Sequence, residues 1–177
     1  MSLIDLFTLH DKICTCQLCP LSQDRKCAVP GSGPSPAQIM LVGEAPGREE
    51  DLKGLPFVGR AGKLLDKALL QAGLEKSEIF ITSVVKCRPP ENRKPKKEEI
   101  NLCHPYLQAQ MDLINPRIVC LMGNTAIQAV LGMKGVTNLR GQIQQGRFLI
   151  TYHPAAVLRN RNLMDEFVSD LKKAKVK

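Results

Sequence analysis

Gln38-Ile39-Met40-Leu41-Val42-Gly43-Glu44-Ala45-Pro46-Gly47 decides the fold of this chain. The run Ile39-Met40-Leu41-Val42 is short and unbroken in its apolarity, which marks a strand buried on both faces, because alternation appears only where one face meets water. It passes directly into a loop whose glycines and proline make a rigid turn. The same arrangement recurs. Residues 79–85 read as a second strand, 117–122 as a third that leads through Gly123-Asn124, and Phe148-Leu149-Ile150-Thr151 as a fourth that leads to Tyr152-His153-Pro154. Apolar spacing predicts helices over 3–13 with Ser2 as cap, over 61–73 closed by Gly73, over 97–114, after Asn124 up to Gly132, and over 162–174. Pro105 should kink or tighten its helix. Residues 16–36 are turn-rich, 86–96 form a charged, proline-bearing loop, and 133–146 read as an irregular connection.

Short apolar strands alternating with helices predict an α/β chain with a parallel sheet covered on both faces. At 177 residues it suits one domain over 1–177, with a real core. In such sheets the working groups gather beyond the carboxyl ends of the strands. That rule brings Gly43-Glu44-Ala45-Pro46-Gly47, the loop after Val85, Gly123-Asn124 and His153-Pro154 to one rim, and so places Glu44, Asn92 and His153 near one another.

The formal net charge of +8 favours a polyanionic partner. Lys86, Arg88, Arg93, Lys94, Lys96 and Lys97 crowd one loop, and Arg159 and Arg161 another; the lysine-rich tail reads as a solvated helix end. No uninterrupted apolar run is long enough to cross a bilayer, no apolar export signal opens the chain, and seven cysteines is an odd number. These features predict a reducing cytoplasm and argue against a disulfide framework.

Cys16-x-x-Cys19, followed by Pro20, is the spacing of a metal-ligand pair, and Cys87 and Cys103 are the two further thiols that the fold could bring to it. Zinc and iron–sulfur clusters both accept four thiolates, so spacing leaves the metal open. Cys14, Cys27 and Cys120 read as ordinary thiols, the last in the apolar run Ile118-Val119-Cys120-Leu121.

The loop Gly43–Gly47 lacks the Gly-Lys-Ser/Thr ending of a nucleotide-triphosphate loop. Its glycines instead let a flat ligand approach the backbone. Glu49, Glu50 and Asp51 follow as an acidic cluster. Phe57, on the Gly-bounded loop Pro56-Phe57-Val58-Gly59, could stack on a base. His153, between a strand and Pro154, would be held stiffly at the rim.

Taken together, Gly43-Glu44-Ala45-Pro46-Gly47 with Glu50-Asp51, Pro56-Phe57-Val58-Gly59, Lys86-Cys87-Arg88-Pro89-Pro90-Glu91-Asn92-Arg93 and His153-Pro154-Ala155-Ala156 resemble the family-four uracil-DNA glycosylases, the iron–sulfur members of their superfamily. The likeness runs from about Cys16 to Arg159. It implies a three-layer αβα sandwich around a four-stranded parallel sheet, and a 4Fe-4S cluster held by Cys16, Cys19, Cys87 and Cys103 in a structural role. It implies hydrolysis of the N-glycosidic bond of deoxyuridine swung out of single- or double-stranded DNA, by a monomer with no membrane attachment. Leu158 and Arg159 would wedge into the vacated stack. Lys86, Arg88 and Arg93 would hold phosphates. Gly43, Ala45 and Phe57 would receive the base, and His153 would donate to uracil O2.

Two positions depart from the pattern. Better-known members of the superfamily carry Asp or Asn where this chain has Ala45, and a methyl group cannot orient water. Glu44 is the first choice for that role, Glu50 the second and Asn92 the third. Ser83 stands where the family usually has an Asn that reads uracil O4 and N3–H; one hydroxyl offers less, so a broadened set of excised bases is expected. The competing readings are a covalently trapping or non-hydrolytic uracil-DNA binder, for which His104 is the nearest histidine to the basic loop, and a zinc or electron-carrying module without catalysis.

Overall fold

The computed structural model describes residues 5–175. Strands β1 (Ile39–Gly43), β2 (Ile79–Ser83), β3 (Ile118–Met122), β4 (Ile143–Gln144) and β5 (Phe148–Thr151) form one sheet in the order β2-β1-β3-β5-β4. β1, β2, β3 and β5 run parallel, and β4 pairs antiparallel with β5. The expected four-stranded parallel sheet is therefore a five-stranded mixed one. The added strand lies in the segment read as irregular, because two residues with a part-exposed side chain give no apolar signal.

Side chains of β1, β2 and β3 are buried along their whole length, as the apolar runs require. Alternate residues serve opposite faces. Ile39, Leu41, Ile79 and Ile81 pack against α4 (Arg60–Ala72), α8 (Pro154–Arg159) and α9 (Met164–Lys172) through Leu65, Leu69, Val157 and Phe167. Met40, Val42, Phe80 and Leu121 pack against α5 (Lys97–Ile114) and α6 (Asn124–Leu131) through Leu107, Met111 and Ile127. Helix α1 (Leu6–Cys14) lies outside α5, with Leu9 and Ile13 packed near Tyr106 and Ala109.

The remaining helices are short: α2 (Leu21–Asp24), α3 (Arg48–Lys53) and α7 (Val136–Leu139). The cap of α1 is Asp5, whose carboxylate accepts from the Thr8 N–H at 2.7 Å; Ser2 lies outside the described residues. Pro105 sits on the exposed side of α5, which continues to Ile114. α9 starts at Met164, after a 3-10 turn at Arg161–Leu163; the end of the lysine-rich tail, Val176 and Lys177, lies outside the described residues. Among the described residues no helix is long and apolar enough to cross a membrane.

Candidate active site

β1 and β2 end in register, with Gly43 opposite Ser83. A Cβ added at Gly43 would lie 2.6 Å from Phe57 Cζ and 3.4 Å from His153 Nε2. Only hydrogen fits there, so the backbone of the first strand end becomes the floor beneath both rings.

Phe57 reaches that position through an unusual backbone. Its φ is +51°, a left-handed conformation rare for a bulky side chain. Two features hold it. Glu50, in the first turn of α3, accepts the backbone N–H groups of Val58 and Gly59 at 2.8 Å each, and that of Gly47 at 3.2 Å. One carboxylate thus ties the loop after β1 to the loop carrying Phe57. In addition, the first turn of α4 presses so closely on the Phe57 carbonyl that a Cβ at Gly62 would lie 1.9 Å from its oxygen.

His153 caps α8. Its Nδ1 accepts the Ala155 N–H at 3.1 Å, which places the proton of the neutral ring on Nε2. That Nε2 is buried and, among the described residues, has no hydrogen-bond partner. Burial, together with repulsion from Arg159 and against the pull of Glu50, lowers the His153 pKa to about 4. The ring is neutral at pH 7, with its Nε2–H donor held close to Gly43. Its centroid lies 5.9 Å from that of Phe57, with the planes tilted by 38°.

Phe57, His153 and Glu50 line a cavity of about 530 Å³ together with Glu44, Ala45, Ser83, Asn92 and Arg159; Gly43 packs beneath the two rings and is not itself part of the lining. Three of the four loops expected at the rim supply its walls; the fourth, Gly123-Asn124, does not line it, and Gly123 packs against His153 instead. Glu44 accepts a hydrogen bond from the Thr125 hydroxyl in the first turn of α6. Sequence reasoning missed Thr125, and its position directly after Gly123-Asn124 was the available signal. Asn92 is exposed and accepts from Arg88 Nε at 2.8 Å. Arg93 lines the same cavity and grips buried Glu99 with its two terminal guanidinium nitrogens, at 2.7 and 2.9 Å. Arg159 is exposed, whereas Leu158 is partly buried and packs against the core.

Two expected roles need correction. Lys86 is 1% exposed, and its Nζ donates to Thr82 Oγ1, the Ser83 carbonyl and Gln110 Oε1, each at 2.7 Å. No phosphate can reach it; the run of neighbouring charges concealed that the chain is still buried one residue before Cys87. Glu50, considered for water positioning, has both carboxylate oxygens engaged by backbone N–H groups. Its spacing of three after Gly47 is that of a helix-capping acid, and this was legible in the sequence.

Cys16, Cys19, Cys87 and Cys103 line one pocket with Ile13, Leu18, Leu102 and Tyr106. Cys14, Cys27 and Cys120 stand outside it, and Cys120 is in the core. Burial raises the pKa of Cys87 and takes that of Cys103 up to about 11. Among the described residues no group of three or more His, Cys, Asp or Glu is placed to hold a metal ion. The all-sulfur donor set, walled mainly by apolar side chains with Ser22 and Lys86 beside them, nevertheless has the chemistry of an iron–sulfur site.

Comparison with known proteins agrees with this geometry. The sequence model of the Uracil DNA glycosylase superfamily matches residues 30–172. A type-4 uracil-DNA glycosylase of Pyrobaculum aerophilum is 45% identical over 95% of this chain and 92% of its own length. Those of Archaeoglobus fulgidus and Thermotoga maritima are 40% and 39% identical, over 92% and 94% of this chain and 87% and 91% of theirs. A type-5 uracil-DNA glycosylase of Pyrobaculum aerophilum is 33% identical over 72% of this chain and 65% of its own length. With a parallel-stranded core, converging strand-end loops and these likenesses over nearly its whole length, the chain belongs to the uracil-DNA glycosylase superfamily, among the type-4 enzymes.

Proposed function

We propose that this protein removes uracil from DNA by hydrolysing the N-glycosidic bond of a flipped-out deoxyuridine, the first step of base excision repair. The observation that carries the reading is the unpartnered Nε2–H of neutral His153 beside the Phe57 ring, on a floor that only glycine permits. The uracil ring stacks on Phe57, and its O2 accepts from His153 Nε2. As the bond from C1′ to N1 breaks, the electron pair moves onto the base, and the developing charge at O2 meets a donor already in place. One such donor supplies about 3 kcal/mol of transition-state stabilisation.

Water then adds to C1′ of the oxocarbenium-like sugar and releases a proton. We assign its orientation to Glu44, whose other oxygen is held by Thr125, with Asn92 as a second group at the same wall. Glu50 sets the loops instead. Ser83, buried at the carboxyl end of β2, contacts the base edge with one hydroxyl, which supports a base range wider than uracil alone. Arg88 and Arg159 stand at the rim for phosphate contact and strand separation, and Arg93 joins them through its exposed part. The substrate is uracil-containing DNA, single- or double-stranded, acted on by a monomer in the cytoplasm.

We further assign Cys16, Cys19, Cys87 and Cys103 to a 4Fe-4S cluster. When bound, it would supply a covalent tie between the segment after α1, the strand exit at Cys87 and α5.

The test is excision from a uracil-containing oligonucleotide, read as strand cleavage after alkali, with His153→Ala as control. Alkali-labile ends with wild type and their near loss in the variant are expected. Intact DNA with cluster-bearing wild type would overturn the reading, and a persistent shifted band on a denaturing gel would replace hydrolysis by trapping.

A further inference from the structure

Lys86 presents an unusual electrostatic problem. All three ammonium protons are matched to acceptors, but every acceptor is neutral: a hydroxyl, a backbone carbonyl and an amide oxygen. Thr82 passes its own proton on, with the Pro30 carbonyl 3.1 Å away. Among the described residues no carboxylate forms an ion pair with Lys86. A cation removed from water without an anion is costly, and hydrogen bonds to neutral dipoles offset only part of that cost.

Arg25 is a second, only half-buried cation nearby. Its Nη1 donates to Cys87 Sγ at 2.9 Å and its Nη2 to the Cys14 carbonyl at 2.9 Å, again without a carboxylate among the described residues. Both cations face the four-cysteine pocket. Lys86 lines it directly, and Arg25 touches one of its sulfurs. Four thiolates around a cubane in its common oxidised state carry a net charge of about −2.

We propose that Arg25 and Lys86 are the built-in counter-charge of the cluster, two fixed cations that stabilise its anionic thiolate cage and favour its reduced form. The inference rests on the assignment of a 4Fe-4S cluster to this pocket. Arg25 has a second function in the same geometry, since its fork joins the end of α1, just before Cys16, to Cys87. Lys86 links the pocket to the active site, because the carbonyl it holds is that of Ser83.

The test is the midpoint potential of the cluster in purified holoprotein, with iron and sulfide content per chain, for wild type, Lys86→Met, Arg25→Gln and Arg25→Lys. Removing a positive charge disfavours adding an electron. Lys86→Met and Arg25→Gln should therefore shift the reduction equilibrium about tenfold toward the oxidised form, a potential lower by about 59 mV for one electron. Arg25→Lys keeps the charge and should stay near wild type. Folded Arg25→Gln that loses its iron while Arg25→Lys retains it also supports the proposal. Unchanged potentials with full iron content overturn it, as does an Arg25→Lys variant that behaves like Arg25→Gln. If Lys86→Met does not fold, the Arg25 pair decides. Wild-type protein without iron and sulfide removes the cluster assignment itself, a result distinct from either outcome.

Discussion

Phe57 and His153 face each other across Gly43, their rings 5.9 Å apart, although strands β2 to β5 all lie between them in the chain. One residue brings the stacking surface and the other the hydrogen-bond donor. Neither has the right position without the bare backbone between them.

Replacing His153 by Ala removes the donor and leaves the stacking ring. Single-turnover excision should slow by about 10²–10³ while substrate affinity changes little. An equal loss in binding, measured by fluorescence anisotropy on uracil-containing DNA, would contradict a role in the transition state.

The pH dependence follows from the same ring. With a folded-state pKa of about 4, His153 stays neutral from about pH 5 upward, and the rate profile should show no inflection near 6.5 from this group. Stability behaves differently. The unfolded histidine binds a proton near pH 6.5 and the folded one does not, so stability rises with pH between about 4 and 6.5 and is lost as pH falls through that window. Denaturant titrations across this range should show the slope in wild type and a shallower one in His153→Ala.

Gly43→Ala should raise KM at least about tenfold, because the added methyl drives Phe57 from its place while leaving the strand intact. Gly62→Ala, whose Cβ would overlap the Phe57 carbonyl, should instead lower stability by roughly 1–3 kcal/mol or more, visible as a lower melting temperature. The pair separates damage to the floor from damage to the support.

Glu50→Gln distinguishes positioning from water activation. A clamp that orders Phe57 predicts a higher KM with a modest change in kcat, since the amide still accepts through one oxygen. A fall in kcat at constant KM would return Glu50 to the chemistry.

Ser83→Asn should narrow the range of excised bases. Uracil, hypoxanthine and xanthine compared in one duplex context give the measure, and identical profiles for both proteins would remove Ser83 as the determinant.

The amino-acid order by itself determined the strands Ile39–Gly43 and Ile118–Met122, the helices closed by Gly73 and Gly132 and the meeting of three strand-end loops at one sheet end; it paired Cys16 with Cys19, while the family resemblance added Cys87 and Cys103. Apolar runs, helix-ending glycines and strand-end loops are local features that survive without knowledge of neighbours. Tertiary structure alone decided that Lys86 is buried and not on the surface, that Glu50 also binds the loop carrying Phe57, that the Thr125 hydroxyl reaches Glu44, and that the Nε2 of His153 has no partner among the described residues. The physical reason is common to all of them. Whether a polar group is solvated, satisfied or held in reserve depends on atoms distant in the chain, and local pattern carries no record of those.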